Sequence, residues 1–275
     1  IQEIAARATA RDLVLVIVSG GGSSLLCGTY GECEQGAALY DAFKDSGGTI
    51  EELNVLRKHL STLKGGGLAA ALQPATVVGL IFSDVPGGDL AAVASGPTFY
   101  DESTVADATA LAARYKLGEF HFRETPKDKR VFENVINIPL VDNTTALTAM
   151  QAEAAARGYD AHILTQDQYL TPEETITLLR RHDAQHTALL MGGETRLEVP
   201  PDCTGKGGRN AALGLYFYPQ LRDGEVFIAA ASDGWDNSDA AGVIVDQETR
   251  AAAQAMGLSA EVHQQCFDSY PFFEA

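Results

Sequence analysis

Residues 13–26 constrain the fold most, because an unbroken apolar run passes directly into glycines and serines. Leu13–Val18 contains six apolar residues, four of them Val or Ile, which predicts a parallel strand buried on both faces. The run is followed by Gly20, Gly21, Gly22, Ser23 and Ser24. Glycine lets backbone N–H groups approach an anion, and a helix that begins here would add the positive end of its dipole. The stretch therefore predicts a phosphate or carboxylate site, with a tight turn that binds nothing as the alternative.

The glycine loop matches neither of two common phosphate-binding motifs. No Gly-Lys-Ser/Thr follows it, as a P-loop requires, and Leu25 stands where the third glycine of a G-x-G-x-x-G fingerprint would be. The chemistry must therefore be sought in other segments as well.

Composition limits the class of protein. With 275 residues, 45% hydrophobic and 21% charged, the chain is expected to form one large or two medium folded domains. Its net charge of −17 argues against a nucleic-acid surface, which needs clustered Lys and Arg. No apolar run of 18 residues and no signal pattern is present, so no membrane span is expected.

The cysteines form no C-x-x-C pair, which argues against a zinc ribbon or a thioredoxin site. They are Cys27, Cys33, Cys203 and Cys266. Four thiols in a chain of this size fit a reducing cytoplasm. Because the sequence starts at Ile1 without an initiator methionine, we expect a piece of a longer protein or a trimmed one.

Alternating strands and helices up to about residue 184 predict an α/β domain with a mainly parallel sheet. Capping signals support the helices: Thr49 with Glu52 forms a capping box before a helix over 50–63, and Thr171 precedes a proline and two acids. Beyond this point residues 195–199 alternate polar and apolar, which predicts an antiparallel strand. We therefore predict an α/β domain with a mainly parallel sheet over 1–184 and a smaller α+β domain over 185–275. Clefts between domains are where small-molecule sites tend to lie.

Polar glycine-rich junctions recur where strands end, and ligands of open α/β sheets bind at the carboxyl ends of strands. Asp84 follows the apolar run 76–82, where a carboxylate could accept a proton from a substrate hydroxyl or hold a metal. An Asx turn at the start of a Pro-Gly loop is the alternative. Arg57 and Lys64 are seven residues apart on one helix face and could hold a carboxylate, unless they are surface cations.

A second glycine loop carries two cations. Lys206 and Arg209 flank two glycines before a predicted helix, a pattern that suits phosphate but also a solvated loop. Asp233, Asp236 and Asp239 are spaced by three, like a cation-binding loop. The EF-hand pattern fails, however, because Ile244 stands where its final Glu would be. No order of residues typical of a Ser-His-Asp triad is present.

Taken together, these segments resemble the glycerate 2-kinase family, whose C-terminal part is the MOFRL domain and some members of which were once labelled hydroxypyruvate reductases. The resemblance covers nearly the whole chain. It rests on the segments 19–26 (Ser-Gly-Gly-Gly-Ser-Ser-Leu-Leu), 56–66, 83–87 (Ser-Asp-Val-Pro-Gly), 94–98 (Ala-Ser-Gly-Pro-Thr), 192–195 (Gly-Gly-Glu-Thr), 205–210 (Gly-Lys-Gly-Gly-Arg-Asn) and 233–242.

This resemblance implies phosphorylation of D-glycerate to 2-phosphoglycerate with ATP and Mg²⁺. It also implies that residues 1–184 form a Rossmann-like domain, residues 185–275 a smaller MOFRL-like domain, and that the active site lies in the cleft between them. It implies Asp84 as the catalytic residue acting on the substrate hydroxyl, and a substrate site formed by Ser23, Ser24, Arg57 and Lys64. The nucleotide or phosphate site would comprise Gly20, Gly21, Gly22, Glu194, Lys206, Gly208, Arg209 and Asn210. Asp233 and Asp236 are candidate ligands of Mg²⁺, which we expect to be held mostly by nucleotide phosphates. The implied protein is cytoplasmic and acts on a small molecule, without nucleic acid or membrane, and a homodimer stays open.

Three departures from the family pattern affect this interpretation. The family has an N-terminal segment with a Gly-Lys loop that precedes the start of this sequence, and it continues beyond residue 275. Gly67 stands where the family usually has Arg. Two alternatives remain: an NAD(P)-dependent hydroxypyruvate reductase, and a non-catalytic anion- or nucleotide-binding derivative. Against the reductase, no acidic residue lies on a second strand about 20 residues past the glycine loop, where a ribose would be held.

Overall fold

The computed structural model describes residues 1–83, 85 and 88–274, which form two compact units, residues 1–146 and 147–275. The helices of the first unit are α1 (Gln2–Ala5), α2 (Gly22–Leu25), α3 (Tyr30–Phe43), α4 (Ile50–Leu60), α5 (Gly67–Ala71), α6 (Val105–Arg114) and the start of α7 (Asn143–Ala156). Its strands are β1 (Leu13–Val18), β2 (Thr76–Phe82) and β3 (Val135–Val141), in the order β1-β2-β3 and parallel throughout. The predicted parallel α/β architecture is confirmed.

The second unit is built on two strand pairs. Its strands are β4 (Asp160–Gln168), β5 (Thr187–Gly193), β6 (Phe227–Ala230) and β7 (Gly242–Val245). Its further helices are α8 (Pro172–Arg181), α9 (Arg209–Phe217), α10 (Gln247–Met256), α11 (Ala260–Gln265) and α12 (Ser269–Glu274). The pair β4-β5 is parallel and the pair β6-β7 antiparallel. Short 3₁₀ turns span Val93–Ser95, Lys129–Phe132 and Tyr218–Gln220.

Local signals in the sequence act as expected. The Thr49 side chain accepts from the Glu52 backbone N–H while the Glu52 carboxylate accepts from the Thr49 N–H, so the capping box before α4 is present. Thr171 caps α8 in the same way, with Pro172 in the first turn. These caps satisfy N–H groups that a helix start leaves without intrahelical partners.

The prediction that β1 is buried on both faces is wrong for the described residues. Val14, Val16 and Val18 pack into the core clusters of the first unit, whereas Leu15 and Ile17 are 60% and 71% exposed. β1 is the edge strand of a three-stranded sheet, and its side chains alternate between a covered and an uncovered face.

A predicted antiparallel strand over 195–199 is also absent among the described residues. The segment is irregular, and its contacts lead back to the chain after β4: the Arg196 N–H donates to the Leu170 carbonyl oxygen at 2.8 Å. The parallel pairing of β4 with β5 places residues 160–168 in the second unit. The domain boundary predicted after residue 184 therefore lies inside the second compact unit. As a boundary between functional domains it stays a prediction.

Two of the four cysteines are not free thiols, contrary to expectation. Cys27 and Cys33 form a disulfide with their Cα atoms 5.5 Å apart, across the turn between α2 and α3. Cys203 and Cys266 are free. No helix in the described part of the chain has the length and hydropathy needed to cross a membrane.

Candidate active site

The first unit contains a cavity of about 230 Å³ that collects the predicted substrate-binding side chains. Ser23, Ser24, Arg57 and Lys64 all line it. Ser23 and Ser24 lie in α2, and Arg57 lies in α4. The prediction of a helix over 50–63 that carries Arg57 and Lys64 on one face is wrong at its end, because α4 ends at Leu60 and Lys64 follows it. The sequence therefore named four side chains that the fold does bring together.

The glycine run after β1 allows close packing. Gly21 adopts a left-handed φ of +80°, and the chain turns directly into α2. A Cβ on Gly22 would lie 2.5 Å from the Cβ of Ala94, so any larger residue would push the loop away from this neighbour. As a result, Ser23 and Ser24 are held at the cavity wall.

Arg57 and Lys64 place two positive charges at the wall of this cavity. The Lys64 Nζ donates to the Leu26 carbonyl oxygen at 2.7 Å, and the Arg57 Nη2 lies 3.5 Å from the Ser24 Oγ. Neither cation pairs with a carboxylate in the part of the chain that the structure describes. Burial, with help from the positive charge of Arg57, lowers the pKa of Lys64 from 10.5 to about 8, while the Glu32 carboxylate opposes this.

Burial also lowers the pKa of the Arg57 guanidinium. Two cations that are stripped of water and lack a carboxylate partner gain most from an anionic ligand. The cavity can therefore hold a carboxylate or phosphate.

A buried carboxylate that lines the same cavity, Glu32, was not predicted from the sequence. Glu32 accepts hydrogen bonds from the Gly28 N–H at 2.8 Å and the Thr62 N–H at 3.1 Å. Burial raises its pKa, but these hydrogen bonds and the charge of Arg123 outweigh that effect and leave the pKa lowered. Glu32 thus ties the loop after α2 to the segment that carries Lys64. No sequence motif pointed to it.

Ser95 and Asn54 were also missed, although the motif at 94–98 was a signal. Ser95 is fully buried, and its Oγ lies 3.0 Å from the Ser23 Oγ and 3.1 Å from the Asn54 Oδ1. The turn that presents it pairs with another glycine loop, because the Gly65 N–H donates to the Ser95 carbonyl oxygen at 2.9 Å. Three segments of the family motif therefore meet behind the cavity.

The predicted catalytic residue, Asp84, lies outside the described residues. β2 ends at Phe82, and the Ser83 N–H donates to the Val141 carbonyl oxygen at 2.9 Å. The pairing of β2 with β3 shifts register between Ile81 and Phe82, an irregularity that is common where strands lead into active-site loops. The role of Asp84 stays a prediction.

In the second unit, both cations of the glycine loop already have partners. Arg209 forms an ion pair with Glu194, and the Lys206 Nζ lies 4.1 Å from the centre of the Tyr270 ring. The Lys206 N–H donates to Asp268 at 2.7 Å. Of the predicted nucleotide residues, Arg209 and Glu194 are thus in contact with each other, and the charge of Arg209 is partly neutralised within the second unit.

The N-terminus of α9 is capped by Asp236. This carboxylate is 6% exposed, and it accepts from the Asn210 N–H at 3.1 Å, the Asn210 Nδ2 at 3.0 Å and the Ala211 N–H at 2.8 Å. A Cβ on Gly208 would lie 2.3 Å from the same carboxylate. The Asn210 and Ala211 N–H groups, which could bind phosphate at this helix start, therefore already donate to Asp236.

A role for Asp233 and Asp236 in holding a metal is not favoured by their contacts. Asp236 uses its oxygens on the helix start, and Asp233 accepts from the Trp235 N–H at 3.0 Å as in an Asx turn. Over residues 1–83, 85 and 88–274, no group of three or more acidic, His or Cys side chains is arranged to bind a metal. These contacts do not favour an Mg²⁺ site made of protein side chains alone, and the assignment of Asp233 and Asp236 stays a prediction.

Two family models match the chain: a domain of unknown function, DUF4147, over residues 1–124, and the MOFRL family over residues 187–275. A glycerate kinase from Macaca fascicularis is 32% identical over 99% of this chain and 85% of its own length. A D-glycerate 2-kinase from Thermotoga maritima is 35% identical over 94% of this chain and 66% of its own length.

A relative from Agrobacterium vitis that carries the name of a hydroxypyruvate reductase is 36% identical, and the chain spans 65% of its length. Among solved structures, a glycerate kinase from Thermotoga maritima superimposes with a TM-score of 0.80 at 32% identity, covering 99% of this chain and 70% of that one. The likeness extends over both units, so it is not limited to one motif.

Proposed function

The chain belongs to the glycerate kinase family, and from this premise we propose that the full-length protein phosphorylates D-glycerate to 2-phosphoglycerate. The observation that carries the proposal is the cavity of the first unit. It presents two desolvated cations, Arg57 and Lys64, beside the hydroxyls of Ser23 and Ser24. A small hydroxy acid would bring a negative charge to these two cations and hydroxyl groups that can form hydrogen bonds with Ser23 and Ser24.

In this proposal Arg57 and Lys64 hold the glycerate carboxylate. The Lys64 ammonium can keep its bond to the Leu26 carbonyl oxygen and still offer two further N–H donors, because an ammonium carries three. The Arg57 guanidinium contributes a planar pair of donors that suits a carboxylate. The ligand would therefore be oriented by its charged end.

Asp84 is the proposed base or orienting group for the hydroxyl that attacks the phosphoryl group. Phosphoryl transfer depends mainly on positioning and on neutralising charge, with little covalent help from the protein. A carboxylate that orients the attacking hydroxyl fits such a reaction.

The phosphoryl donor requires a nucleotide, for which we propose ATP with Mg²⁺. Candidate contacts are the loop with Gly20, Gly21 and Gly22 and, in the second unit, Gly208 and Asn210 with the Lys206, Arg209 and Glu194 side chains. For Arg209 to contact phosphate it would share or exchange its bond to Glu194. The metal is proposed to be held mainly by phosphate oxygens and water.

The reductase alternative is disfavoured by the fold after the glycine loop. The chain about 20 residues further on lies in α3, whereas a dinucleotide site would place an acidic residue there at the end of a second strand. One observation favours a non-catalytic derivative: Arg209 is already paired with Glu194, and Lys206 lies over Tyr270. We further propose a cytoplasmic protein that acts on a small molecule and not on nucleic acid, with a homodimer to be tested.

A coupled assay on the full-length protein tests the proposal. With D-glycerate, ATP and Mg²⁺, we expect nucleotide consumption that depends on glycerate, and NMR of the product should show phosphate on carbon 2. Absence of turnover together with NADH oxidation by hydroxypyruvate would establish the reductase instead. Calorimetric binding of ATP and glycerate without turnover would establish the non-catalytic derivative.

A further inference from the structure

Asn54, Ser95 and Ser23 form a series of hydrogen bonds that ends at the cavity of the first unit. Ser23 lines the cavity, whereas Ser95 is 0% exposed and touches it only through Ser23. The Ser95 Oγ lies 3.0 Å from the Ser23 Oγ and 3.1 Å from the Asn54 Oδ1. Ser23 lies in α2, Ser95 ends the 3₁₀ turn Val93–Ser95, and Asn54 lies in α4, so the three residues are distant in sequence.

The number of available protons decides which group donates in each of these hydrogen bonds. The side-chain carbonyl oxygen of Asn54 can only accept, so the single hydroxyl proton of Ser95 is donated to it. The Ser95 and Ser23 hydroxyl oxygens are 3.0 Å apart. Because the one proton of Ser95 is used on Asn54, we infer that the hydrogen bond between the two serines uses the proton of Ser23. With its proton directed away from the cavity, the Ser23 hydroxyl has only lone pairs left to offer a ligand.

We propose that Ser95 is a positioning residue that makes the Ser23 hydroxyl a hydrogen-bond acceptor toward the cavity, so that the site selects carboxylates that also carry a hydroxyl group. The inference rests on the proposed function, in which Arg57 and Lys64 hold the carboxylate. The ligand hydroxyl donates to Ser23, and a carboxylate turned toward Ser23 would meet lone pairs. The hydrogen-bond series Asn54–Ser95–Ser23, called the relay below, therefore fixes both the class of ligand and its orientation.

The backbone around Ser95 is shaped to hold this geometry. Ala94, Ser95 and Gly96 all adopt left-handed conformations, with φ of +52°, +56° and +63°. Such conformations are unfavourable for Ala and Ser and persist only where neighbours enforce them. Here the N–H groups of Gly65 and Gly66 donate to the carbonyl oxygens of Ser95 and Gly96 at 2.9 and 2.8 Å.

Calorimetric titration of the full-length protein with D-glycerate and with propionate, which has the carboxylate but no hydroxyl, measures the selectivity. We expect the wild type to bind glycerate more tightly. In Ser95→Ala the ratio of the two affinities should fall about five- to tenfold, the value of one neutral hydrogen bond, while propionate binding is unchanged. Ser95→Gly, which suits the left-handed backbone, should lose the same factor, so that strain is not the cause.

A matched control and a polarity test complete the design. Thr98 is another buried hydroxyl in the same segment, bound to Asn137 at 2.6 Å away from the cavity, and Thr98→Val should leave the affinity ratio unchanged. Asn54→Asp keeps an acceptor opposite Ser95, so the ratio should be retained even if the added charge weakens both acids. Loss of selectivity in Asn54→Asp would mean that the relay runs the other way and would overturn the proposal.

The outcomes separate this inference from the proposed function. If the wild type phosphorylates glycerate and Ser95→Ala keeps the full ratio, the relay is wrong and the kinase stands. If selectivity depends on Ser95 but no turnover occurs, the kinase is wrong and the relay stands. If neither acid binds the wild-type protein, the cavity is not a carboxylate site and both are wrong.

Discussion

Two pairs of cations lie near glycine-rich segments of this protein, and they differ in how their charges are used. In the first unit, Arg57 and Lys64 face a cavity and form no ion pair with any described carboxylate. In the second unit, Arg209 pairs with Glu194 and Lys206 lies over Tyr270. Even the N–H groups at the start of α9 are taken, by Asp236.

The difference lies in what the rest of each unit supplies. Lys64 is 6% exposed, whereas the Arg209 side chain is 51% exposed beside its carboxylate. A buried cation without a partner carries a desolvation cost that a ligand can offset, while an exposed ion pair gains little from binding another anion. The comparison favours the first unit as the place where an anionic substrate is recognised.

The largest effect is expected at Asp84, which follows β2 in the sequence. Asp84→Asn keeps the shape of the side chain but removes its charge, so turnover in the full-length protein should fall about 10²- to 10⁴-fold. Glycerate affinity should remain nearly unchanged. Steady-state kinetics with ATP and glycerate measure both, and full turnover in Asp84→Asn would reduce this residue to a turn former.

The next prediction compares the two arginines directly. Arg57→Ala should raise KM for glycerate about 10- to 100-fold with a smaller change in kcat, because a charge-assisted contact to the substrate is lost. Arg209→Ala should change the KM for glycerate by no more than about threefold, since the residue is exposed and already paired. Equal effects of the two substitutions would mean that Arg57 and Arg209 do not differ in their role toward glycerate.

A stability measurement tests the assignment of Asp236. Because it accepts three N–H donors at the start of α9, Asp236→Ala should lower the free energy of unfolding by about 1–3 kcal/mol. Asp233→Ala, at an exposed turn, should cost within about 0.5 kcal/mol. Chemical denaturation should give the same losses with and without Mg²⁺. A loss for Asp236→Ala that requires Mg²⁺ would restore its role as a metal ligand.

The smallest effect concerns pH. Since burial lowers the pKa of Lys64 to about 8, glycerate affinity should fall by up to about tenfold per pH unit above that value, until only Arg57 contributes. Stability should change in the opposite sense: between about 8 and 10.5 the unfolded chain binds more protons, so the substrate-free protein gains stability as the pH rises. Titration calorimetry from pH 6.5 to 9.5 checks the affinity, with Lys64→Met as a control that should be flat.

Sequence patterns were sufficient where the physical cause is local. Caps at Thr49 and Thr171 depend on residues three positions apart, and the strands β1, β2 and β3 follow from short apolar runs. The grouping of Ser23, Ser24, Arg57 and Lys64 was also predictable, because each belongs to a recognisable motif. The exposed face of β1 was not, since an apolar run does not say whether its second face is covered.

What the sequence by itself determined is the family, the parallel α/β architecture and the residue types available for an anion site. Only the tertiary structure decided which of those charges are free to act. Lys206, Arg209 and Asp236 carry the same signals as the residues of the first unit, but their partners Tyr270, Glu194 and the start of α9 come from other segments. A charge is neutralised or left for a ligand by its neighbours in space, and that information is distributed over the whole chain and not held in any one motif.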